Sequence, residues 1–422
     1  MQVAVDKKQI PVREKLINRF LDVRTYTETL CRPLQTDDYQ IQSIMQTSPP
    51  KWHIAHVTWF FETFVLPHFN PAYTPFNPVM DFLFNSYYYT HGQMHPRPNR
   101  GLLSRPTVAE IYDYRAYVNE QMLQLMHNID DSRREELAFR VTLGLNHEQQ
   151  HQELLLMDVK HNFSVNPVKP TYRDDLKIPQ GQSRPVRWLE QAGGIHEIGF
   201  AGEGFAYDNE TPRHQVLLRD YRLASRFVTN GEYLEFIRDG GYDDVALWLS
   251  DGWALIKKEN WTQPLYWQQG DDGWRQFTLG GMRELNEHEP VCHLSYFEAD
   301  AYARWAGKRL PLEAELEQAL SMMPVTGNFT ESDFLHPVPA SEQGQWFGDL
   351  WAWTSSPYTA YPGFKPLEGS MGEYNGKFMS NQMVLRGGSA ATPAGHTRAT
   401  YRNFFYPNER WAFTGLRLAE DA

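Results

Sequence analysis

The 422-residue sequence predicts an α+β multidomain protein, with an N-terminal four-helix bundle and a second domain that is built differently. The length exceeds what one ordinary hydrophobic core requires, which indicates two domains. The first part of the chain carries apolar residues at helical spacing, whereas short apolar runs, paired glycines and most tryptophans lie beyond residue 186. We therefore expect the bundle at residues 1–165, a linker at 166–190 and the second domain at 191–422.

Four N-terminal segments are predicted to be helices. They are residues 12–33, the stretch after Ser48-Pro49-Pro50, and the stretches opened by Thr107-x-x-Glu110 and Ser132-x-x-Glu135. Proline is tolerated in a first helical turn, and the last two motifs have the spacing of a capping box. Four helices with apolar stripes bury those stripes most naturally in a bundle. Between the second and third helices we expect a long loop over residues 70–105, and a connection of that length is usually functional or disordered. In the second domain, only 227–238 and 296–320 have a helical pattern.

Composition excludes several classes of partner. A net charge of −12 argues against nucleic acid, because phosphate binding needs a basic face. No apolar run approaches the length that spans a bilayer, and Met1–Gln9 lacks the apolar core of a secretory signal. Two cysteines, Cys31 and Cys292, are too few for a disulfide framework. We expect a cytoplasmic protein that binds neither nucleic acid nor membrane; its oligomeric state cannot be read from the sequence.

The most informative motif is His147-Glu148-Gln149-Gln150-His151, which lies in the fourth predicted helix. Residues four apart lie about 40° apart on a helix surface, so both imidazoles can reach one metal ion. Glu153 projects away from them, and a third ligand must come from another segment. His53 or His56 of the second helix could supply it. Three neutral histidines leave open positions on an octahedral ion, which suits Fe(II) chemistry better than a closed zinc site.

Two other interpretations of this motif stay open. Its spacing also matches His-Glu-x-x-His, in which Glu148 would be the general base of a zinc enzyme. Two histidines at helical spacing can also be a packed structural pair.

The ordered set of motifs resembles a known enzyme family. His147-x₃-His151-x-Glu153 and Trp52-x-x-Ala55-His56 resemble the iron site of the DinB-like domain in EgtB-type sulfoxide synthases, the hercynine oxygenases of ergothioneine biosynthesis. The second half resembles the formylglycine-generating-enzyme-like (C-type-lectin-related) domain. Its motifs are 226–233, 305–315, 350–354, 385–389 and 414–419.

This resemblance implies a set of metal ligands and catalytic residues. His56, His147 and His151 would hold Fe(2+), with His53 as a neighbour. The implied reactants are hercynine (Nα-trimethylhistidine), cysteine and O₂. Tyr87 and Tyr88 of the long loop would be catalytic, with a tyrosine as proton donor. The chain has no cysteine after Cys292, so the copper chemistry of the formylglycine-generating parent is not expected.

Candidate substrate-binding residues come from both halves. Arg97 and Arg100 could hold an amino-acid carboxylate by charge-assisted hydrogen bonds, although solvated surface arginines would look the same in the sequence. Gln150 and Asn403 are candidates to hydrogen-bond hercynine. A quaternary ammonium favours aromatic walls, which the residues after Asn403 could supply.

The sulfur donor is expected to be free cysteine. In the branch of the family that uses γ-glutamylcysteine, the turn after the matching asparagine reads Trp-Asp and is followed, after a proline, by two arginines. Here Phe404 and Phe405 follow Asn403, and Glu409 stands where the first arginine would be. Phenylalanine offers no partner for a glutamyl ammonium, and Glu409 would repel its carboxylate.

The sequence thus predicts an oxidoreductase that joins cysteine to the imidazole ring of hercynine. Related alternatives are a selenoneine synthase that uses a selenosugar and an ovothiol-type 5-histidylcysteine sulfoxide synthase. The latter often carries a methyltransferase domain, which is absent before Ala422. A zinc-dependent DinB-like hydrolase or thiol transferase is the alternative from a different class.

Overall fold

The computed structural model describes residues 12–422, which form two compact units. One unit ends at Val159 and the other begins at Lys160, so the division lies inside a long helix. The expected boundaries at residues 165 and 190 stay a prediction. Met1–Gln9, where no secretory signal is expected, lies outside the described residues.

The first unit is helical. Its helices are α1 (Val12–Cys31), α2 (Pro50–Phe64), α3 (Leu66–Phe69), α4 (Val79–Phe84), α5 (Val108–Asn128) and α6 (Arg134–Val165). The four long ones, α1, α2, α5 and α6, correspond to the four predicted helices. The expected long loop over 70–105 is not without structure, because it contains α4 and a 3-10 helix at Arg97–Leu102.

The first residues of three helices test the proline start and the two capping boxes that the sequence predicts. Pro50 is the first residue of α2, where its missing N–H costs nothing. Thr107 caps α5: its hydroxyl accepts from Glu110 N at 3.2 Å, and the Glu110 carboxylate accepts from Thr107 N at 2.7 Å. The capping box expected at Ser132 is wrong. Ser132 lies within a 3-10 turn, Asp131–Arg133, that leads into α6, whereas an N-cap needs non-helical backbone.

Helix α2 is buried on nearly every side. Fourteen of its residues are buried, including the charged Lys51 and Glu62. A helix that is apolar around most of its circumference lies in a core and not on a surface. Polar residues of α2 therefore lie in a dry environment, where each needs a defined partner.

The second unit combines short strands with four helices, α7 (Asn230–Arg238), α8 (Ser250–Glu259), α9 (Tyr296–Trp305) and α10 (Glu313–Ser321). The sequence did not predict α8. The expected helix over 296–320 is two helices, because Gly307 adopts a φ of +65° just after α9 and ends it.

The strands of the second unit form several small sheets. They are β1 (Trp188–Gln191), β2 (Gly194–Ile198), β3 (His214–Leu218), β4 (Tyr221–Ala224), β5 (Trp267–Gly270), β6 (Gly273–Thr278), β7 (Gly281–Glu284), β8 (Gly327–Asn328), β9 (Phe347–Gly348), β10 (Trp351–Pro357), β11 (Met383–Arg386), β12 (Asn403–Phe405), β13 (Thr414–Gly415) and β14 (Ala419–Asp421). The larger sheets have the orders β12-β11-β10-β13, β1-β4-β14 and β5-β6-β7. Strand β1 begins inside the stretch expected to be a linker.

Within the described range, none of the helices has both the length and the apolar composition that crossing a bilayer requires.

Candidate metal centre

Three histidine side chains meet inside the helical unit. His56 lies on α2, and His147 and His151 lie on α6. One nitrogen from each ring lies within 4.8 Å of the other two, and the ring centroids are between 4.7 and 4.9 Å apart. All three residues are buried. Among the histidine, cysteine and carboxylate side chains of residues 12–422, these three have donor atoms close enough together to bind one metal ion.

The two helices come together closely at this centre. His147 and His151 are one turn apart on one face of α6, as their spacing predicts. One turn before His147 is Gly144, where a Cβ atom would lie only 2.7 Å from Phe61 Cε1 and 2.8 Å from Phe60 Cε1. The absence of a side chain therefore lets the aromatic face of α2 approach α6.

Burial keeps the three histidines neutral. Burial lowers the pKa of His147 to about 3, although the charge of Glu148 opposes this. Burial, followed by the neighbouring charged groups, also lowers the pKa of His56 and His151 well below the ordinary value of 6.5. Neutral imidazole is the form that binds a metal ion.

Hydrogen bonding leaves a ligand atom of His56 available. Its Nδ1–H donates to the carbonyl oxygen of Phe84 at 2.6 Å, which places the lone pair on Nε2. That Nε2 atom is buried and accepts no hydrogen bond from the residues described. The ring also stacks on Trp52, with 4.5 Å between centroids, and on Trp59, with 5.5 Å. An oriented ring with an unsatisfied buried acceptor fits a metal ligand.

His53, the other candidate third ligand, lies beside the triad and not within it. Its Nδ1 lies 2.9 Å from Nδ1 of His151, and its Nε2 lies 3.0 Å from Oδ2 of Asp158. Sequence reasoning missed Asp158. Its signal is that it lies seven residues after His151, which is two turns along the same face of the helix.

Glu148 does not face the histidine triad as a free base. Its carboxylate is fully buried and accepts hydrogen bonds from Arg24 Nη1 at 2.9 Å, Arg115 Nη2 at 2.6 Å and the Thr27 hydroxyl at 2.6 Å. Burial raises the pKa of this carboxyl, but the charges of Arg115 and Arg24 outweigh burial and lower it to about 2. A general base needs a pKa near the working pH, so this group does not fit the zinc-enzyme interpretation.

Of the two candidate carboxylate-binding arginines, one is buried and one is exposed. Arg100 is 3% exposed, and its guanidinium carbon lies 3.4 Å from the centroid of the Trp52 ring. Its Nη atoms donate to the hydroxyls of Ser48 at 3.0 Å and Ser86 at 2.9 Å. Burial, followed by the charge of Arg97, lowers the pKa of Arg100 well below its ordinary value. Arg97 is exposed, and its guanidinium donates to a backbone carbonyl.

The tyrosine candidates lie just after α4. Tyr88 is buried, and its ring centroid lies 5.5 Å from that of Trp59, which itself stacks on His56. Tyr87 is half-buried and packs against Tyr88 at 5.3 Å. Gln150 is half-buried on α6, directly before His151.

Asn403, Phe404 and Phe405 belong to the second unit, where they form β12 and pair with β11. The Phe404 ring stacks on Tyr358, with 4.0 Å between centroids, and the Phe405 ring packs against Trp411 at 5.4 Å. The Asn403 side-chain oxygen accepts from Phe404 N at 2.9 Å. The roles of these three residues stay predictions.

Comparison with known proteins identifies both parts of the chain. Residues 19–155 match the DinB superfamily, and residues 188–347 and 343–422 match the sulfatase-modifying factor enzyme 1-like domain. A hercynine oxygenase of Mycolicibacterium smegmatis is 32% identical over 93% of this chain and 96% of its own length. The chain belongs to the hercynine oxygenase family.

Other relatives agree with this membership. A hercynine oxygenase of Mycolicibacterium thermoresistibile is 31% identical over 98% of this chain and 96% of its own length. The ergothioneine biosynthesis protein 1 of Schizosaccharomyces pombe is 29% identical over 51% of this chain and 28% of its own length. The predicted fold class, a DinB-like helical domain followed by a formylglycine-generating-enzyme-like domain, is confirmed. The prediction of an oxygenase that acts on small molecules is confirmed as well.

Proposed function

We propose that this hercynine oxygenase family member is an iron(II)- and O₂-dependent sulfoxide synthase that joins cysteine to the imidazole ring of hercynine in ergothioneine biosynthesis. The observation that carries the proposal is the convergence of three buried, neutral imidazoles from His56, His147 and His151. Family membership supports the reaction class. The ligand set supports the metal.

The donor set favours iron(II) with open positions over a structural zinc site. Structural zinc is normally closed by four protein ligands, and the group here contains three. When bound, iron(II) would supply the redox chemistry that O₂ requires and open positions for a thiolate and an imidazole nitrogen. The orphaned Nε2 atom of His56 supports a metal at this place.

We propose that Arg100, assisted by Arg97, binds the cysteine carboxylate. The buried guanidinium of Arg100 donates to two neutral serine hydroxyls, which do not balance its positive charge. A substrate carboxylate would balance that charge and accept charge-assisted hydrogen bonds. The stack of Arg100 on Trp52, and of Trp52 on His56, supports this assignment, because it connects the guanidinium to a metal ligand through one ring.

We propose that the Tyr88 hydroxyl, with Tyr87 as its neighbour, donates a proton during sulfoxide formation. The position of the Tyr88 ring against Trp59 supports this role. For hercynine, we propose Gln150 in the helical unit as a hydrogen-bonding residue. In the second unit we propose Asn403 in the same role, and Phe404 and Phe405 as aromatic contacts for a quaternary ammonium.

The choice of cysteine over γ-glutamylcysteine follows from the turn at residues 403–410. Phe405 packs against Trp411 and offers no acceptor for a glutamyl ammonium. Glu409 adds a negative charge at the position where the dipeptide would need a positive one. An unpaired, desolvated charge costs on the order of a few kcal/mol, which corresponds to roughly a thousand-fold discrimination.

The direct test is anaerobic loading of the full chain with Fe(II), followed by addition of hercynine, cysteine and air. We expect oxygen uptake and a hercynine–cysteine sulfoxide adduct by mass spectrometry. His56→Ala, His147→Ala and His151→Ala should each lose iron and activity. His127→Ala, which removes an exposed histidine of α5, is the matched control and should keep both.

Other outcomes identify other functions. Zinc in the purified protein with no oxygen consumption would overturn the proposal in favour of a hydrolase or thiol transferase. If product forms only with a selenosugar, cysteine is not the donor, and the protein is a selenoneine synthase.

A further inference from the structure

His53 and Asp158 lie next to the histidine triad without belonging to it. His53 precedes His56 by one turn of α2, and Asp158 follows His151 by two turns of α6, so both lie on the faces that carry the ligands. His53 lies between His151 and Asp158, with its Nδ1 against His151 and its Nε2 against the Asp158 carboxylate. Both are buried, with exposed fractions of 3% for His53 and 2% for Asp158.

The direction of each hydrogen bond in the row Asp158–His53–His151 follows from the chemistry of Asp158. A carboxylate can only accept, so His53 donates from Nε2–H to Asp158 Oδ2 at 3.0 Å. In the tautomer with its proton on Nε2, His53 has its lone pair on Nδ1, and it accepts from Nδ1–H of His151 at 2.9 Å. The lone pair of His151 is thereby on Nε2. The opposite order would put a proton on Nε2 of His151 and block metal binding.

The carboxylate at the end of the chain is itself held in place. Its Oδ2 atom, which accepts from His53, also accepts from the backbone N–H of Ser48 at 2.7 Å. Ser48 lies just before α2, so this bond ties the start of that helix to α6. A backbone donor thus helps to fix the position of the acceptor atom.

We propose that Asp158 and His53 are positioning residues that hold the ring of His151 in its metal-binding tautomer and orientation. The inference rests on the proposed metal site, but it does not depend on the reaction or on the substrates. His53 therefore has a defined role, although it is not a ligand. Partners of this kind behind a ligating histidine change metal affinity by about 10–100-fold.

Two substitutions at His53 separate hydrogen bonding from packing. His53→Leu fills much of the same space but offers no acceptor to Nδ1–H of His151. His53→Asn places an amide oxygen near the former Nδ1 atom, where it can accept that hydrogen bond. Metal-free full-length protein is titrated with Co(II) against a competing chelator, and the visible absorption of bound Co(II) is recorded.

We expect the Co(II) affinity of His53→Leu to fall by about 10–100-fold, and that of His53→Asn to stay within about threefold of wild type. Thermal melts of the metal-free proteins check that all of them are folded. Wild-type affinity in His53→Leu overturns the inference. Equal losses in the Asn and Leu variants also overturn it, because the acceptor would then not matter.

If His53→Leu does not fold, the same comparison can be made with two substitutions of Asp158. Asp158→Ala should lose about tenfold in Co(II) affinity. Asp158→Asn should retain most of it, because the Ser48 N–H keeps the amide oxygen where Oδ2 stands. Equal affinities in these two variants would contradict the role of the carboxylate position. If the wild-type protein takes up no Co(II), the proposed metal site itself is wrong, and the inference falls with it.

Discussion

Replacing Glu148 with glutamine is expected to destabilise the bundle, and not merely to remove a catalytic group. The carboxylate accepts from Arg24 and Arg115, both of which are buried, with exposed fractions of 1% each. After the substitution, Arg115 keeps its ion pair with Glu28 at 3.0 Å. Arg24 loses the ion pair that it makes with Glu148 at 2.9 Å. Two buried guanidinium groups would then share one neutral amide.

The expected loss in the free energy of unfolding is about 3 kcal/mol. Removing one partner of a buried ion pair costs about 3–5 kcal/mol. The lower end applies here, because the glutamine oxygen still accepts one hydrogen bond and Glu28 still compensates Arg115. The pKa of Glu148 gives a similar magnitude. Its fall from 4.5 to about 2 in the folded protein corresponds to about 3 kcal/mol of differential stabilisation of the charged form.

The assay is urea unfolding followed by far-ultraviolet circular dichroism, which reports on the helices. Glu28→Gln is the matched control, because it removes the same charge from the same Arg115 guanidinium. Glu28 is 39% exposed, so its substitution should cost less than about 1 kcal/mol. If Glu148→Gln is as stable as Glu28→Gln but inactive, the carboxylate acts in the chemistry. The zinc-enzyme interpretation of the motif would then regain support.

The pH dependence of this stability difference has a defined sign. The pKa of Glu148 is lower in the folded protein than its ordinary value, so the unfolded chain takes up the proton first as the pH falls. The contribution of Glu148 is therefore complete above pH 4.5 and is lost as the pH falls towards 2. The stability gap between wild type and Glu148→Gln should narrow over that range.

Three further predictions concern packing, chemistry and the thiol. Gly144→Ala gains about 1 kcal/mol of helix propensity but overpacks two phenylalanine rings, which costs about 1–3 kcal/mol. We therefore expect the free energy of unfolding, measured by urea denaturation, to fall by up to about 2 kcal/mol. Gly92→Ala, whose Cβ meets nothing within 4 Å, should be neutral. Tyr88→Phe should shift product from the sulfoxide adduct towards cysteine sulfinate by mass spectrometry; unchanged ratios there and in Tyr87→Phe would exclude both tyrosines. Because of the turn at 403–410, kcat/KM should favour cysteine over γ-glutamylcysteine, and the reverse order would refute that argument.

Much of the helical unit could be predicted from local sequence. The spacing of His147 and His151 places both rings on one face of a helix, because helical geometry depends only on distance along the chain. The capping box at Thr107 was recognisable for the same reason, since its hydrogen bonds join residues three apart. The ordered motifs of the two halves, taken together, sufficed to predict the family.

Local patterns failed where a distant segment decided the outcome. Ser132-x-x-Glu135 has the capping spacing but lies within a helical turn. Glu148 stands in the position of a catalytic base, and its pattern gives no sign of the two arginines that bind it. Arg24 and Arg115 come from α1 and α5, so only the packing of three helices brings them to this carboxylate.

The four long helices of the first unit, the histidine pair and the family could be read from the sequence, because each depends on residues close together in the chain or on an ordered set of motifs. Residue spacing alone left His53 and His56 as equal candidates for the third position, and the family resemblance favoured His56. The tertiary structure places His56 with His147 and His151 and shows that His53 lies against His151. The two histidines are three residues apart on α2, and either could have faced α6. The rotation of α2 against α6, together with the carboxylate of Asp158, decides between them, and these are contacts across about a hundred residues of sequence.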